Sequence, residues 1–383
     1  MKMKYDCIVV GAGSMGMAAG YYIAKQGKKV LLIDSQDPPH AFGSHHGETR
    51  IIRHAYGEGS GYVPLALRAQ ELWNELEQES GRNLFRQTGV LSVGESESVF
   101  MKELIKSAET FSLSLETLDK SQIENRWRGI TVSSNYIGCY ERNSGVLFPE
   151  ACLKAYRELA IKHGAEVLPY TEAKHINLHA NTVEVKSNKD TYYGECLVIS
   201  GGACSKKILT NLGLNLPLQP VRKTFAWFDS NEDLYRSENY PAFAFDVPEG
   251  MYYGFPSFQG SGLKVGRHDG GLLVDPTNVN RDFSSFPEDE EDLRTFLATY
   301  MKKANGQLKQ GKVCLYTKTP DEDFIIDYHP KHSNVVIAAG FSGHGFKFAS
   351  AIGEMMSQMI LNQKIKQDFS MFSMKRFKDI IIK

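Results

Sequence analysis

The spacing of apolar residues near the N-terminus predicts a nucleotide-binding unit of strand, helix and strand. The continuous apolar run 7–10 is typical of a buried parallel strand, and a helix of small residues follows to about residue 26. A second apolar run, 30–33, ends on Asp34. Between the first strand and the helix lies Gly11-Ala12-Gly13-Ser14-Met15-Gly16, a glycine spacing that occurs in dinucleotide-binding turns.

Each glycine of this turn has a physical role in binding a dinucleotide. Gly11 permits the tight turn, Gly13 lets a pyrophosphate approach the backbone, and Gly16 lets the helix pack closely on the strand. The helix N-terminus, at Ser14, offers unpaired N–H groups and a partial positive charge to the phosphates. Asp34 supplies a carboxylate for a ribose diol, which argues against NADP.

Two further units of strand and glycine turn lie far along the chain. Residues 334–339 have the pattern of a buried strand that runs into a glycine-rich turn at 340–347 and a helix from about 348 to 361, and residues 196–203 form a third unit. Parallel strands this far apart predict a nucleotide domain built from discontinuous segments. Chain ends that both return to the cofactor favour the long cofactor FAD. The alternative is that 340–347 only caps a strand, as glycine turns do in any α/β protein.

The rest of the pattern predicts a second, sheet-rich unit. Strands are predicted at 225–228, 251–255 and 263–265, and a helix at 63–79 with Gly81 as its stop signal. We therefore expect an α/β protein with a Rossmann-like FAD-binding domain and a sheet-rich α+β substrate domain, with the site between them. The FAD-binding domain is expected to comprise residues 1–82, 143–215 and 319–383, and the substrate domain residues 83–142 and 216–318.

Composition narrows the functional classes. With 383 residues, 42% of them hydrophobic, and a formal net charge of −1, the chain is expected to form two globular domains, with no footprint for nucleic acid or an anionic membrane. Asp6 interrupts the basic start at 1–4, and no apolar run has the length of a membrane span, so we expect an unprocessed cytoplasmic protein. The scattered cysteines show no metal-ligand spacing, which favours a reducing compartment and no metal. They are Cys7, Cys139, Cys152, Cys196, Cys204 and Cys314.

Five longer motifs carry a family resemblance that covers the chain essentially end to end. They are Gly-Ser-His-His-Gly-Glu-Thr-Arg-Ile-Ile-Arg-His-Ala-Tyr-Gly-Glu-Gly at 43–59, Asn-Ser-Gly-Val-Leu-Phe at 143–148, Tyr-Gly-Phe-Pro-Ser-Phe at 253–258, Cys-Leu-Tyr-Thr-Lys-Thr at 314–319 and Gly-Phe-Ser-Gly-His-Gly-Phe-Lys at 340–347. They resemble segments of the monomeric sarcosine oxidases. The resemblance implies a monomer with FAD attached covalently to a cysteine. It also implies oxidation of small N-methylated amino acids and reoxidation by O₂.

Two arginines of the first motif are expected to serve the site. Arg50 and Arg53 lie three residues apart, so on a helical turn they would share a face, although a solvated basic loop is the alternative. The resemblance implies that Arg53 and Lys347 bind the substrate carboxylate and that Arg50 lies near the flavin ring. A carboxylate held between Arg53 and Lys347 would direct the substrate's N-methyl carbon toward the flavin.

The segment 262–268 contributes a lysine and a histidine. Strand alternation places Lys264, Gly266 and His268 on one face and Arg267 on the other, and a surface strand with its polar residues outward is the alternative. The resemblance implies that Lys264 lies over the flavin, where its charge stabilises the superoxide formed as reduced flavin passes an electron to O₂. It implies that His268 lines the substrate pocket.

Cys314 is the implied attachment site for the flavin. A single cysteine in an apolar stretch is usually a small buried hydrophobe, and attack on a flavin methyl group requires a thiolate in an electropositive setting. The resemblance favours attachment at Cys314, with Tyr316 on the same strand face and also near the cofactor. Tyr253 belongs to the pocket by resemblance, and only one of the adjacent Tyr252 and Tyr253 can point inward.

The histidines of the glycine motifs complete the set. His344 is expected to make a polar contact with the flavin, whereas His45 and His46 are explained equally well as loop residues that bind backbone groups. The residues expected to take part in catalysis are Lys264, His268, Arg50 and Tyr253, and those expected to bind substrate are Arg53, Lys347, Tyr253 and His268. The residues expected to bind FAD are Gly11, Gly13, Ser14, Met15, Gly16, Asp34, Ser44, His45, Arg50, Cys314, Tyr316, Gly343, His344, Gly345 and Lys347.

The resulting hypothesis is oxidation of sarcosine, N-methylglycine, by a flavin and O₂. The amine loses two electrons and a proton equivalent, the imine hydrolyses to glycine and formaldehyde, and O₂ is reduced to hydrogen peroxide. No acid–base dyad is evident, and desolvation and nearby cations would favour the neutral amine. The alternatives are oxidation of N-methyltryptophan, proline or pipecolate, an FAD dehydrogenase with another electron acceptor, and a regulatory protein that keeps the fold without turnover.

Overall fold

The parallel strands predicted at the N-terminus form the centre of the first of three sheets. The computed structural model describes residues 4–365 and 367–378. Residues 1–3, 366 and 379–383 belong to the predicted FAD-binding segments 1–82 and 319–383 but lie outside the described part. Strands are numbered β1 to β20 and helices α1 to α9 along the described chain.

The first sheet combines both ends of the chain with its middle. Its strands are β1 (Lys4–Val10), β2 (Val30–Ile33), β9 (Glu166–Leu168), β10 (Ala173–Leu178), β11 (Val183–Ser187), β12 (Thr191–Ile199), β19 (Ile325–His329) and β20 (His332–Ala339). β1 pairs in parallel with β2 on one side and β12 on the other, and β12 pairs in parallel with β20. Ile8, Val9 and Ile337 are completely buried, as their continuous apolar runs predict.

The second sheet is mostly antiparallel and forms the wall of the site. Its strands are β5 (Val90–Glu95), β6 (Glu116–Leu118), β7 (Tyr136–Glu141), β13 (Gln219–Phe228), β14 (Ala242–Val247), β15 (Gly250–Phe255), β16 (Leu263–Arg267), β17 (Leu272–Leu273) and β18 (Leu308–Lys318). The spatial order is β17-β13-β16-β15-β14-β5-β7-β6, and β18 also pairs with β13. The long β13–β18 ladder places Lys223 opposite Cys314.

A small third sheet corrects one expectation about the two arginines. It consists of β3 (Arg50–Ile52), β4 (Phe85–Arg86) and β8 (Gly145–Leu147). The helical turn expected to place Arg50 and Arg53 on one face is wrong, because residues 50–52 pair with 145–147 as an antiparallel strand. The β-branched pair Ile51-Ile52 suits this extended backbone.

Nine helices lie in the described part of the chain. They are α1 (Ser14–Lys25), α2 (Val63–Ser80), α3 (Val99–Thr110), α4 (Lys120–Arg126), α5 (Pro149–Lys162), α6 (Ser205–Thr210), α7 (Glu232–Tyr235), α8 (Glu288–Tyr300) and α9 (Ala349–Ile360). Three of them, α1, α2 and α9, were predicted from the sequence, and their bounds agree closely with the expected ones. Gly81 ends α2 in the left-handed conformation, with φ at 66°, which confirms it as a stop signal. None of the helices in the described part of the chain combines the length and apolarity that a membrane crossing needs.

A buried ion pair fastens the second sheet to α8. The Arg222 guanidinium donates to both carboxylate oxygens of Asp289 at 2.6 and 2.8 Å. The two side chains are only 3% and 5% exposed. Arg222 precedes Lys223 in β13, so this pair also fixes the strand that faces Cys314.

We expect Asp289→Ala to destabilise the protein by about 3–5 kcal/mol, because it leaves the Arg222 guanidinium buried without its carboxylate. Glu291→Ala, an exposed change on the same helix, is the control and should stay within about 0.5 kcal/mol of the parent. Chemical unfolding followed by circular dichroism measures both variants. Equal midpoints for Asp289→Ala and the parent protein would contradict the structural role of the pair.

Candidate active site

A cavity of about 80 Å³ lies between the second sheet and the glycine turn at 340–347. Its lining gathers residues that are far apart in sequence and that the motifs single out: Arg50, Arg53, Tyr253, His268, Tyr316, Gly343, His344 and Lys347. Lys264 and Cys314 are instead buried within the second sheet. The fold therefore brings most of the expected substrate residues to one place.

Lys347 is held at the cavity by a short chain of hydrogen bonds. Its ammonium donates to the Tyr56 hydroxyl and to the His344 carbonyl, both at 3.1 Å. The His344 Nε2 atom lies 3.1 Å from the Glu322 carbonyl and must donate to it, so Nδ1 accepts from the Tyr56 hydroxyl at 2.8 Å. Burial and the nearby Arg53 lower the pKa of Lys347 to about 7, while Glu58 acts in the opposite direction. Both ring nitrogens of His344 are thus used to position Lys347.

Arg53 is paired with a carboxylate that the sequence patterns did not indicate. Its Nη2 atom donates to both carboxylate oxygens of Glu58, at 2.6 and 2.7 Å, and its buried Nε atom finds no partner among the residues that the structure describes. Burial would raise the pKa of Glu58, but Arg53, His344 and Lys347 lower it to about 2. Glu58 is therefore ionised. Its carboxylate is paired with the Arg53 guanidinium, to which a substrate carboxylate was expected to bind.

Arg50 and Ser44 tie the 43–59 segment to the strand that carries Cys314. The Arg50 guanidinium donates to the carbonyls of Thr49, Ser44 and His46 at 2.7 to 2.8 Å. The Ser44 hydroxyl donates to the carbonyl of Leu315. These bonds fix a positive charge close to the cavity, where Arg50 is one of the lining residues.

Lys264 lies in a buried aromatic surrounding. Its ammonium is 4.5 Å from the centre of the Phe225 ring, 4.8 Å from that of Phe255 and 5.1 Å from that of Trp227. It donates to the Gly47 carbonyl at 2.5 Å and to the Thr49 hydroxyl at 3.1 Å. Burial, assisted by Arg50, lowers its pKa well below the ordinary value. The aromatic faces and carbonyls are the groups that stabilise the charged form.

Strand parity separates the residues of β15 and β16 as the sequence predicts. Arg267 points away from the cavity, where it forms ion pairs with Asp269 and Asp292, both at 2.9 Å. His268 lines the cavity, and burial lowers its pKa to about 3, so it is neutral near pH 7. Tyr252 donates its hydroxyl to Asp292 at 2.7 Å. This orientation leaves Tyr253 as the tyrosine that points inward.

Cys314 and Tyr316 share one face of β18. Cys314 is 1% exposed and packs in a cluster with Val221, Phe225, Trp227 and Tyr316. Burial raises the pKa of its thiol, while Arg50, Lys223 and Lys264 act in the opposite direction. Cys314 thus packs against apolar side chains and lies in a positive electrostatic field from these cations.

The N-terminal turn has the geometry of a dinucleotide site. A β-carbon at Gly16 would lie 2.0 Å from the Gly11 carbonyl oxygen, which leaves room for glycine alone. By contrast, a β-carbon at Gly13 would meet nothing closer than 3.7 Å, so its surface is open. No side chain caps the N-terminus of α1, whose free N–H groups suit a pyrophosphate. The Asp34 carboxylate accepts from the backbone N–H groups of Ala12 and Gln36 at 2.8 and 2.9 Å and keeps lone pairs for a ribose diol.

Unpartnered polar atoms along the same path also fit a bound cofactor. Among the described residues, both ring nitrogens of His46 are buried without a hydrogen-bond partner, although buried polar groups are normally paired. Burial lowers the pKa of His45 and of His46 to about 3, so neither ring adds charge near pH 7. The residues present therefore fit FAD, which the 11–16 turn, Asp34 and the cavity residues would hold.

Comparison with known proteins identifies the class. The chain matches the family model for FAD dependent oxidoreductase over residues 6–359. Monomeric sarcosine oxidases of Bacillus sp. (strain B-0618) and Arthrobacter sp. (strain TE1826) are 54% and 53% identical over 98% of this chain and 97% of theirs. N-methyl-L-tryptophan oxidase of Salmonella agona (strain SL483) is 40% identical over 98% of this chain and 100% of its own.

A solved structure extends the comparison of the fold. The L-proline dehydrogenase from P. horikoshii superposes with a TM-score of 0.87 over 99% of each chain, at 23% identity. The chain belongs to the FAD dependent oxidoreductase family, within the group of the monomeric sarcosine oxidases. The resemblance inferred from the five motifs and the α/β fold class are both confirmed.

Several residues of the site were not predicted from the sequence. Glu58 lies five positions after Arg53, between two glycines. This closeness in sequence could have suggested an ion pair between them. Tyr56 lies between them, and its contact with Lys347 joins segments 291 residues apart, which no local pattern reveals. Lys223 is buried in β13 opposite Cys314 and had no motif to mark it.

We expect Glu58→Gln to strengthen the binding of acetate by about tenfold or more, because acetate no longer competes with an internal carboxylate for Arg53. Titration of the flavin absorption spectrum with acetate measures the dissociation constant. Glu71→Gln changes an exposed carboxylate of α2 and serves as the control. Unchanged or weaker acetate binding in Glu58→Gln would show that Glu58 does not occupy the anion site.

We expect acetate binding to weaken as the pH rises through about 7, because Lys347 loses its proton near that pH and acetate stays charged. The decrease approaches tenfold per pH unit at most, since one proton is involved. In Lys347→Met the binding should be weaker and independent of pH between about 6 and 9. A flat profile for the unmodified protein would contradict the role of Lys347.

Proposed function

We propose that this protein oxidises sarcosine with FAD and O₂, giving glycine, formaldehyde and hydrogen peroxide. The observation that carries the proposal is the small cavity in which Arg53 and Lys347 supply positive charge beside the uncharged Tyr253 and His268. Such a site accepts one carboxylate and a short amine. The proposal is supported by relatives of more than half identical sequence that carry the name monomeric sarcosine oxidase.

The size of the cavity favours a small substrate. Its volume of about 80 Å³ is far below the ~300–1,000 Å³ of pockets for drug-sized ligands. Met251, Tyr253 and Phe255 form part of its wall and add bulk that a larger substrate side chain would have to displace. This argues for sarcosine against N-methyltryptophan, although more distant relatives act on the latter by name.

Substrate binding exchanges one carboxylate for another. The substrate carboxylate replaces Glu58 on Arg53 and accepts from the Lys347 ammonium, which Tyr56 and the His344 carbonyl already orient. A carboxylate that contacts two fixed cations leaves the substrate little freedom to rotate. Its N-methyl group is thereby directed to the flavin side of the cavity.

The protonation state of the amine follows from the same charges. Two nearby cations and burial both disfavour an ammonium, so the bound amine loses its proton more easily than it does in water. The neutral His268 ring can accept a hydrogen bond from the remaining amine N–H. FAD, when bound, supplies the acceptor for the two electrons that the amine loses.

The remaining expectations are part of the same proposal. FAD is attached through Cys314, and the Lys264 charge assists the reaction of reduced flavin with O₂. The FAD-binding domain comprises residues 1–82, 143–215 and 319–383, and residues 83–142 and 216–318 form the substrate domain. The protein acts as a monomer in the cytoplasm without a metal. The relatives named monomeric sarcosine oxidase support the monomer, and the six cysteines, all free in the described part of the chain, fit a reducing compartment.

Acid precipitation and anaerobic reduction together test this function. Flavin colour that stays with the precipitated protein, and is lost in Cys314→Ser, supports covalent attachment, whereas colour in the supernatant contradicts it. Anaerobic bleaching by sarcosine, with slower bleaching by proline, pipecolate and N-methyltryptophan, supports the substrate. If one of the larger amines bleaches the flavin faster than sarcosine does, that amine is the better substrate and the proposal of sarcosine is wrong. If neither sarcosine nor the larger amines bleach the flavin, the protein does not turn over.

We expect Lys264→Met to reduce the rate of flavin reoxidation by O₂ at least a hundredfold and anaerobic reduction by sarcosine much less, because one charged group near a developing anion contributes about 2.7–4 kcal/mol. Stopped-flow absorbance separates the two half-reactions. Arg267→Gln, on the same strand but the opposite face, is the matched control. Equal losses in both half-reactions of Lys264→Met would contradict a role of Lys264 in O₂ reduction. If the reduced parent protein reacts slowly with O₂ but quickly with another electron acceptor, it is a dehydrogenase.

A further inference from the structure

Lys223 is a buried lysine that faces the proposed flavin attachment site. It is 5% exposed and stands directly opposite Cys314 in the antiparallel ladder of β13 and β18. Side chains of directly opposed residues lie on the same face of a sheet, with their β-carbons about 4.5–5.5 Å apart. Val221 and Phe225, two positions away on either side, belong to the same cluster as Cys314 and confirm this face.

The Lys223 side chain shares a sheet face with Cys314, and its ammonium forms no ion pair with a carboxylate in the described part of the chain. It donates to the Asp269 carbonyl, and it lies 5.8 Å from the centre of the Tyr316 ring. The Asp269 carboxylate is occupied by an ion pair with Arg267 at 2.9 Å. Burial lowers the pKa of Lys223 to about 8, against the effects of Asp269 and Cys314, so the ammonium form still predominates near pH 7.

Arg50, Lys223, Lys264 and Arg281 all lower the pKa of the Cys314 thiol, Arg50 most strongly, and Lys223 is the one that stands directly opposite Cys314 on the neighbouring strand. Arg50 directs its guanidinium to the carbonyls of residues 44, 46 and 49, and Lys264 donates to Gly47 and Thr49. Arg281 lies over the Phe42 ring at 5.3 Å. The titratable groups that face Cys314 from the surrounding elements are Arg50, Lys223, Tyr253, Lys264, Arg281 and Tyr316.

We propose that Lys223 promotes covalent attachment of FAD by stabilising the thiolate of Cys314 from the neighbouring strand. This inference rests on the proposed attachment at Cys314. Lys223 is a positioning residue that acts through Cys314 and is not required for substrate binding. A thiolate, unlike a thiol, is the nucleophile in such reactions, and a cation on the facing strand favours it.

The attachment reaction balances with O₂ as the oxidant. The S–H bond of Cys314 and one C–H bond of the flavin methyl group break, and one C–S bond forms. The two electrons released reduce the flavin ring, and O₂ takes them up with two protons to give hydrogen peroxide. Lys223 enters only at the first step, where its charge makes the loss of the thiol proton easier.

The test is the rate at which apoprotein acquires covalent FAD. Apoprotein is mixed with FAD in air near pH 7.5, and the flavin fluorescence retained after acid precipitation is followed with time. Lys223→Gln keeps a hydrogen-bond donor for the Asp269 carbonyl but removes the charge, and we expect attachment at least about tenfold slower, which corresponds to one pKa unit of the thiol. Lys223→Arg restores the charge and should recover the rate to within about threefold.

Two controls separate the charge effect from damage to the fold. Lys309→Met removes a partly exposed ammonium from the same strand as Cys314 and should attach FAD at the parental rate. The dissociation constant for initial FAD binding, measured by fluorescence quenching, should be the same in Lys223→Gln and the parent. Attachment in Lys223→Gln at the parental rate overturns the inference.

A second readout does not depend on covalent attachment. The ultraviolet absorbance of the Cys314 thiolate, taken as the difference from Cys314→Ser, is titrated with pH in apoprotein. We expect its midpoint to rise by about one pH unit in Lys223→Gln and to return in Lys223→Arg. If the parent never retains flavin, the proposed attachment fails. In that case the titration alone tests the effect of Lys223 on the thiol. A higher midpoint in Lys223→Gln supports this effect, and an unchanged midpoint overturns it.

Discussion

The constraint on which the site depends is an excess of positive charge in a buried place. Arg53 and Lys347 line the cavity, and Glu58 is the carboxylate among its lining residues. Because buried cations are costly without anionic partners, the site is completed by an anion that enters it. Glu58 provides that anion when no substrate is bound, and the substrate carboxylate replaces it. Burial is the main cause that lowers the pKa of His268 and His344 and keeps both rings neutral, and for His344 the charge of Lys347 adds to it.

The fold supports this charge through rigid elements. Lys264 and Lys223 lie on adjacent strands of the second sheet, held by backbone carbonyls, and Arg222 fastens that sheet to α8 through Asp289. Lys347 lies at the end of the glycine turn 340–347, and its bond to Tyr56 ties this turn to the 43–59 segment. The charges are therefore fixed before substrate arrives, which is the condition for electrostatic stabilisation of a reacting group.

Much of the fold could be predicted because its signals are local. The 11–16 turn, the parallel strands around it and the strand parity of Lys264 and Arg267 depend on residues close in sequence. The expected helical turn at Arg50 failed because a strand from residues 145–147 pairs with it, and such a partner is not visible in the segment itself. Glu58 and Lys223 were missed for a related reason. Their roles depend on charge neighbours that only the folded chain brings together.

The most direct test of a site built to receive a carboxylate is to remove that carboxylate from the substrate. The limiting rate of anaerobic flavin reduction, divided by the dissociation constant of the substrate, is measured for sarcosine and for its amide N-methylglycinamide, which lacks the carboxylate. Loss of charged contacts to both Arg53 and Lys347, each worth about 1.5–3 kcal/mol, predicts a ratio of at least about a hundred in favour of sarcosine. A ratio within about threefold, below the roughly tenfold that even one such contact supplies, would contradict the account.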